Sequence, residues 1–143
     1  MAKTELSKAE WLDKCEAYCA KSEHCEADVR RKLYEWGALE DFFDEIVESL
    51  YLNDFLNTAR FCHAYVHDKV EYQSWGRLKI QAGLRALQLP ESDIRKALEE
   101  IDKSRYRKNL QALILSRKND SEEKRLRFLL QRGFTYEEIK NCK

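Results

Sequence analysis

Residues 29–37 read VRRKLYEWG, residues 80–88 read IQAGLRALQ and residues 125–133 read RLRFLLQRG. In the first window Val29, Leu33 and Trp36 fall at steps of four and three, the spacing that puts side chains on one face of a helix. Gly37 follows at the position where a helix ends in a left-handed residue, which glycine adopts without steric cost. A shift of 51 residues lays Val29 on Ile80, Leu33 on Leu84, Trp36 on Leu87 and Gly37 on Gln88. Beyond the window Phe43 falls on Ile94, Val47 on Leu98 and Leu50 on Ile101. A further shift of 45 lays Leu84 on Leu129, Gln88 on Gly133 and Ile94 on Ile139. In this third copy Arg125 and Arg132 replace Val29 and Trp36, so Leu126 and Leu130 are expected to carry the apolar face. Self-similarity at offsets of 51 and 45 residues points to a repeat architecture whose copies differ in length.

The flanking segments keep the helical period. Trp11, Cys15, Tyr18 and Cys19 form one stripe; Leu39, Phe43, Ile46, Val47 and Leu50 form another. Phe55, Ala59, Cys62 and Val66 continue the pattern, followed by Ile94, Ala97, Leu98 and Ile101, then Tyr106, Leu110 and Leu113. Val, Ile and Thr total 13, against 18 Leu and 12 Ala, a balance that favours helix over strand. Asn53-Asp54 and Asn119-Asp120-Ser121 are candidate caps, and Pro90 suits a first helical turn. Glu71 to Ser74 lacks a clean period and reads as a connection. The expected fold is all-α, an elongated tandem array of three three-helix repeats over residues 8–52, 53–102 and 103–143, the last one truncated. A unit of about 45 residues is marginal alone, so neighbouring repeats are expected to complete each core.

The chain has 143 residues, with 26 Lys+Arg balanced by 26 Asp+Glu and 11% aromatic residues. Zero net charge with this aromatic content argues against disorder. The balance hides a gradient: net −6 over residues 1–52, −1 over 53–102 and +7 over 103–143. A basic last third points to an acidic protein surface or a phosphate backbone as partner. No apolar run reaches membrane-spanning length and no secretory leader is legible, so the expected compartment is the cytoplasm, where the five cysteines would stay reduced. Cys15, Cys19, His24 and Cys25 cluster without a Cys-x-x-Cys pair, which favours core packing over zinc. His63 and His67 are four apart but lack a third ligand beyond Asp68. No nucleophile elbow, phosphate-cradling glycine loop or His-Glu-x-x-His is present, so no catalytic site, metal or cofactor is assigned.

One block is more specific than helical periodicity. It runs Tyr51-Leu-Asn-Asp54, Arg60-Phe61, Tyr65-Val-His-Asp-Lys69 and Trp75-Gly-Arg-Leu-Lys-Ile80. It resembles the regulatory protein RecX family. The resemblance continues through Ala97-Leu98, Tyr106 and Phe128-Leu-Leu-Gln-Arg-Gly-Phe134, covering roughly residues 25–140. It implies an all-helical stack of three-helix repeats and a non-catalytic role. Family members bind in the groove of the RecA–DNA filament and suppress its strand exchange, ATP hydrolysis and co-protease activity. Gln88 departs from the glycine expected at that turn.

Under this resemblance Arg60, Lys69, Arg77 and Lys79 are candidates to face the filament, while Trp75 and Ile80 are expected in the core. Gly76 would let another backbone approach. Arg105, Arg107 and Lys108 cluster around Tyr106. Arg117 and Lys118 suit a helix C-terminus, where the macrodipole favours cations. Lys124, Arg125 and Arg127 lie near a helix start, where it does not, and are therefore weighted as contacts. The expected partner is the RecA filament, with DNA met inside it, and the expected state is a monomer. The alternative is a stand-alone helical DNA-binding module, whose binding would fall steeply with salt.

Overall fold

The structure, a computed structural model, describes residues 5–142; among these there are helices and turns but no strand. The helices follow as three triplets: α1 (Lys8–Lys21), α2 (Glu26–Trp36) and α3 (Phe43–Leu52); α4 (Thr58–Asp68), α5 (Arg77–Ala86) and α6 (Glu91–Glu99); α7 (Lys103–Ser116), α8 (Glu122–Gln131) and α9 (Tyr136–Asn141). The expected all-α class and triplet order are what the chain adopts. The third helix of the last triplet has 6 residues against 10 and 9 in the others. No helix among the described residues is long and apolar enough to cross a membrane.

The three windows end alike. Gly37, Gln88 and Gly133 all have positive φ, at 84°, 63° and 101°. In each case the next residue donates its N–H back across the turn: Ala38 to Leu33 O at 3.0 Å, Leu89 to Leu84 O and Phe134 to Leu129 O at 3.2 Å. This six-to-one bond is the Schellman closure, which satisfies a carbonyl the helix end leaves open. Leu33, Leu84 and Leu129, whose carbonyls accept, are each 0% exposed. The repeat thus conserves one physical unit, a buried leucine one turn before a left-handed reversal. At Gln88 the reversal is made without glycine, at a cost of about 1 kcal/mol.

Several helix starts are fixed by side-chain caps, although α3, α5 and α6 have none. Ser7 and Glu10 form a reciprocal capping box on α1, and Thr135 and Glu138 do so on α9. Ser121 caps α8, as expected from its segment. Asn53-Asp54 does not cap α4: that helix begins at Thr58 and Asn57 Oδ1 accepts the Arg60 N–H at 2.9 Å. Asp54 instead takes a positive φ in the preceding turn. Pro90 is the residue just before α6, not inside its first turn.

Two compact units result, one ending at Phe61 and the other beginning at Cys62, inside α4. The first buries Trp11, Cys15, Cys19, Val29, Leu33, Phe43, Ile46, Val47, Leu50 and Leu56 in one cluster. Trp36 packs against it part-buried, stacked on Trp11 with ring centres 6.2 Å apart. In the second unit Val66, Ile80, Leu84, Ile94, Ala97 and Leu98 are buried along α4–α6. Leu110, Leu129, Phe134 and Cys142 form the cluster of the last triplet, backed by Tyr106, Leu113, Ile114, Phe128 and Ile139. Leu126 is part-buried, but Leu130 is 45% exposed and does not carry the apolar face assigned to it. Phe134, just past the turn, is buried instead.

Candidate functional site

The segment read as a connection, Glu71 to Ser74, is not one. Lys69–Gln73 forms a π-helical turn that prolongs α4, and Ser74, at φ 51°, reverses the chain. A π turn widens the helix and spoils the ordinary i to i−4 pairing, so its carbonyls need other donors. The last triplet supplies them. Asn109 Nδ2 donates to Val70 O at 2.8 Å, and Arg105 Nη2 donates to Glu71 O at 3.3 Å. The Arg132 guanidinium donates to Gln73 O. Asn109 is the buried polar residue among those described, at 8% exposure, and its Oδ1 accepts from Arg105 Nε at 3.1 Å. Arg105 also pairs with the Glu71 carboxylate at 3.3 Å. Two guanidinium groups therefore sit at the negative end of α4, where the macrodipole favours them.

The next turn is joined to the last triplet backbone to backbone. Gly76 N–H donates to Arg132 O at 2.7 Å and Leu78 N–H donates to Gly133 O at 3.0 Å. Arg77 N–H donates to the Tyr106 hydroxyl at 3.0 Å. A Cβ on Gly76 would lie under 3.0 Å from backbone atoms of Gly133 and Phe134. A Cβ on Gly133 would lie equally close to Lys79 and to the Gly76 carbonyl. This is the close approach expected of Gly76. The Tyr106 hydroxyl is pushed well above its ordinary range, chiefly by burial, so it stays protonated. Three successive N–H groups at the start of α5 are consumed by protein acceptors, so this helix start is not an open anion site.

Trp75 departs from expectation. It precedes α5 and is half-buried, whereas Ile80 is fully buried as expected. Its ring meets Tyr65 edge-on at 6.5 Å, with Lys69 Nζ 4.5 Å and Lys79 Nζ 4.4 Å from the ring centre. Lysine stems cover the ring in place of core side chains, each with a cation–π attraction.

The structure places the basic candidates in distinct groups. Lys69, Arg77, Lys79 and Arg105 lie around the π turn and the start of α5. Lys69 and Lys79 are tied to Trp75 and Arg105 to Glu71, while Arg77 is exposed and forms no ion pair with a described residue. Arg107 and Lys108 are exposed on α7, directly after the tyrosine that holds Arg77 N–H. Lys124 and Arg125 lie in the first half of α8, at the end remote from Gly133, and Arg127 lies just past its middle. Arg125 is half-buried and donates to Arg117 O and Asp120 O, both at 3.3 Å, closing the α7–α8 turn. Arg127 pairs with Glu123 at 3.5 Å, and Lys124 is exposed. Glu122 and Glu123 offset the cations in that first turn. Arg60 belongs to the first unit, where its guanidinium meets Glu23 at 2.7 Å and Asp54 at 3.2 Å.

Three features of the junction were not singled out in the sequence. Asn109 falls three residues after Tyr106 on the apolar stripe of α7, and a polar residue there signals an internal acceptor. Arg132 is a failed repeat match and one of the cations of the basic last third, and nothing in the sequence marks it as an internal donor. Tyr72 and Leu78, three residues before and three after Trp75 in the chain, are 76% and 52% exposed.

The cysteines are packing residues. Cys15, Cys19 and Cys25 are buried, and burial pushes each thiol up to about 11, leaving it protonated and a poor nucleophile or metal ligand at neutral pH. His63 Nδ1 lies 2.9 Å from Glu100 Oε2, and no group of three His, Cys, Asp or Glu among the described residues is arranged to hold a metal ion. A groove of about 670 Å³ on the last triplet has a mixed lining, apolar at Ile114, Leu129 and Ile139 and charged at Glu122, Glu123, Arg125 and Lys140.

Residues 57–98, which span α4 to α6, match the family model of the second three-helix domain of RecX. The whole fold is similar to a crystal structure of regulatory protein RecX, with a TM-score of 0.81 and 22% identity, over 99% of this chain and 80% of that one. It is also similar to the crystal structure of RecX from Lactobacillus salivarius, with a TM-score of 0.75 and 19% identity, over 94% of this chain and 93% of that one.

Proposed function

We propose, from the premise that residues 57–98 form a RecX second three-helix domain within a RecX fold, that this chain regulates the RecA recombinase. It binds in the groove of the RecA–DNA filament and suppresses ATP hydrolysis, strand exchange and co-protease activity. It works by occupancy and not by catalysis, in the cytoplasm and as a monomer. The observation that carries this reading is the group of cations around Trp75, within the span that matches the family.

The physical logic is multivalency. Three triplets, taken as repeats over residues 8–52, 53–102 and 103–143, offer several contacts to a polymer whose protomers recur at fixed spacing. Each contact is modest, since an exposed ion pair is worth about 0–1 kcal/mol. Once one triplet is bound the next binds intramolecularly, at an effective concentration far above that in solution. Arg77, Arg107 and Lys108 are exposed and steer the chain toward an acidic surface.

The second reading is a stand-alone DNA-binding module, favoured by the net charge of +7 over residues 103–143. One experiment separates the two: binding of the labelled chain to RecA–DNA filaments and to the same DNA without recombinase, at matched salt. The regulator reading expects filament binding at least about 30-fold tighter than bare-DNA binding, a difference of about 2 kcal/mol. Equal affinity, with a steep fall as salt rises, would replace it by the DNA-binding module.

A further inference from the structure

We propose that the groove on the last triplet is a docking site for one amphipathic helix of a partner protein, which lays two aliphatic side chains on the groove floor and a hydrogen-bond donor beside Glu122. The inference does not rest on the filament-binding reading, and its test contains neither recombinase nor DNA.

The other two triplets show what fits such a face. In the first, the third helix carries Val47 and Leu50, 4% and 0% exposed, in one cluster with Cys15 of α1 and Val29 and Leu33 of α2. In the second, Leu98 and Ile101 take those places, buried and half-buried. In the last, Ile139 and Cys142 fall on Phe43 and Ile46, but α9 ends at Asn141, before the position of Val47. There the groove opens, floored by Ile114 of α7, Leu126 and Leu129 of α8, and Ile139 and Cys142. Ile114, Leu126 and Ile139 are part-buried, so apolar surface remains for an occupant to cover, at about 25 cal/mol per Å².

The rim adds polar selectivity. Glu122 opens α8 as Glu26 opens α2, at the same place in the repeat. Glu26 accepts the hydroxyl of Tyr51, the residue after Leu50, at 3.1 Å. The Glu122 carboxylate is exposed and forms no hydrogen bond or ion pair with a described residue. Between the two aliphatic residues stand Glu48 in the first triplet and Glu99 in the second, while the groove rim carries Lys140 in a triplet of net charge +7. A glutamate at that position of the occupant is therefore matched in sign. The occupant is a helix that reads, in order, an aliphatic residue, a glutamate, any residue, a second aliphatic residue and a donor. Aliphatic anchors at i and i+3 are the usual grip of a helix bound in a groove.

The probe is a fluorescein-labelled peptide of residues 43–53, which carries Val47, Glu48, Leu50 and Tyr51, titrated with the full chain and followed by fluorescence anisotropy. A scrambled peptide of the same composition controls for bulk charge. The expected result is saturable binding at about 10–100 µM, weak because so short a peptide must also form its helix, and none by the scrambled peptide. Leu50→Ala in the peptide should weaken binding about 10-fold. Tyr51→Phe in the peptide and Glu122→Ala in the chain should each weaken it about 5-fold, and together no more than either alone, because both remove one hydrogen bond. Glu122 is exposed, so the variant chain should melt as the parent does; the peptide variants leave the chain untouched and report even if it does not. Failure of the peptide to saturate, equal binding of the scrambled peptide, or additive losses from Tyr51→Phe and Glu122→Ala overturn the inference. Self-association of the parent chain that the peptide competes away would give the groove to a second copy and overturn the assignment to a partner protein.

Discussion

Gly76→Ala is expected to lower stability by about 3 kcal/mol and the melting temperature by roughly 10 °C. The added Cβ would meet the backbone of Gly133 and Phe134, and backbone cannot rotate aside as a side chain can. Accommodating it means parting the strands of chain that carry the Gly76 N–H to Arg132 O and Leu78 N–H to Gly133 O bonds. The Arg132 guanidinium and the Tyr106 hydroxyl would lose their partners in the same movement. Gly37→Ala is the control. Its Cβ would meet nothing within 4 Å, so it carries only the left-handed penalty of about 1–2 kcal/mol at φ 84°. Thermal unfolding followed by far-UV circular dichroism measures both. A Gly76→Ala melt no lower than that of Gly37→Ala would show that the close approach does not hold the second and third triplets together.

The second large effect is on binding. Reversing two charges, Arg77→Glu with Lys79→Glu, is expected to weaken binding to RecA–DNA filaments about 100-fold while helicity is retained. Arg77 has no ion pair among the described residues, so its reversal costs no folded-state partner. Reversal at Lys79 removes one cation–π contact with Trp75, worth about 0.5–1 kcal/mol at a partly exposed site, while Lys69 keeps the other. The loss in binding is larger because an acidic partner surface would now face like charge at two points. Filament binding equal to that of the parent, by a folded variant, would move the interface elsewhere, with Lys124 and Arg127 as the next cations to reverse.

Much of the fold was legible because it is set by local rules. Leu33, Leu84 and Leu129 could be aligned by period alone, and each proves to sit one turn before the same reversal. Gln88 was flagged as the wrong residue for that turn, and the chain makes it nonetheless at φ 63°, because the flanking buried leucines dictate the backbone. The π turn was not legible. Its residues, KVEYQ, have no intrinsic preference for the wider helix; the turn is held by donors 34 to 59 residues away, from Arg105, Asn109 and Arg132. Trp75 was misjudged for a related reason. Size argues for burial, but the ring is half-buried and meets Tyr65 and the ammonium groups of Lys69 and Lys79, contacts made by residues distant in the sequence pattern. The site was half legible: Lys69, Arg77, Lys79 and Arg105 do lie around one junction. Arg105 and Arg125 could not be recognised as internal hydrogen-bond donors until the carbonyls they serve were located.

The most direct measurement is the rate of ATP hydrolysis by RecA on DNA as the parent chain is titrated in at constant salt. Occupancy of the filament groove predicts that hydrolysis falls progressively toward the DNA-free rate and that the charge-reversed chain needs about 100-fold more protein to do the same. Hydrolysis that holds steady while the chain is demonstrably saturating would contradict the account at its centre.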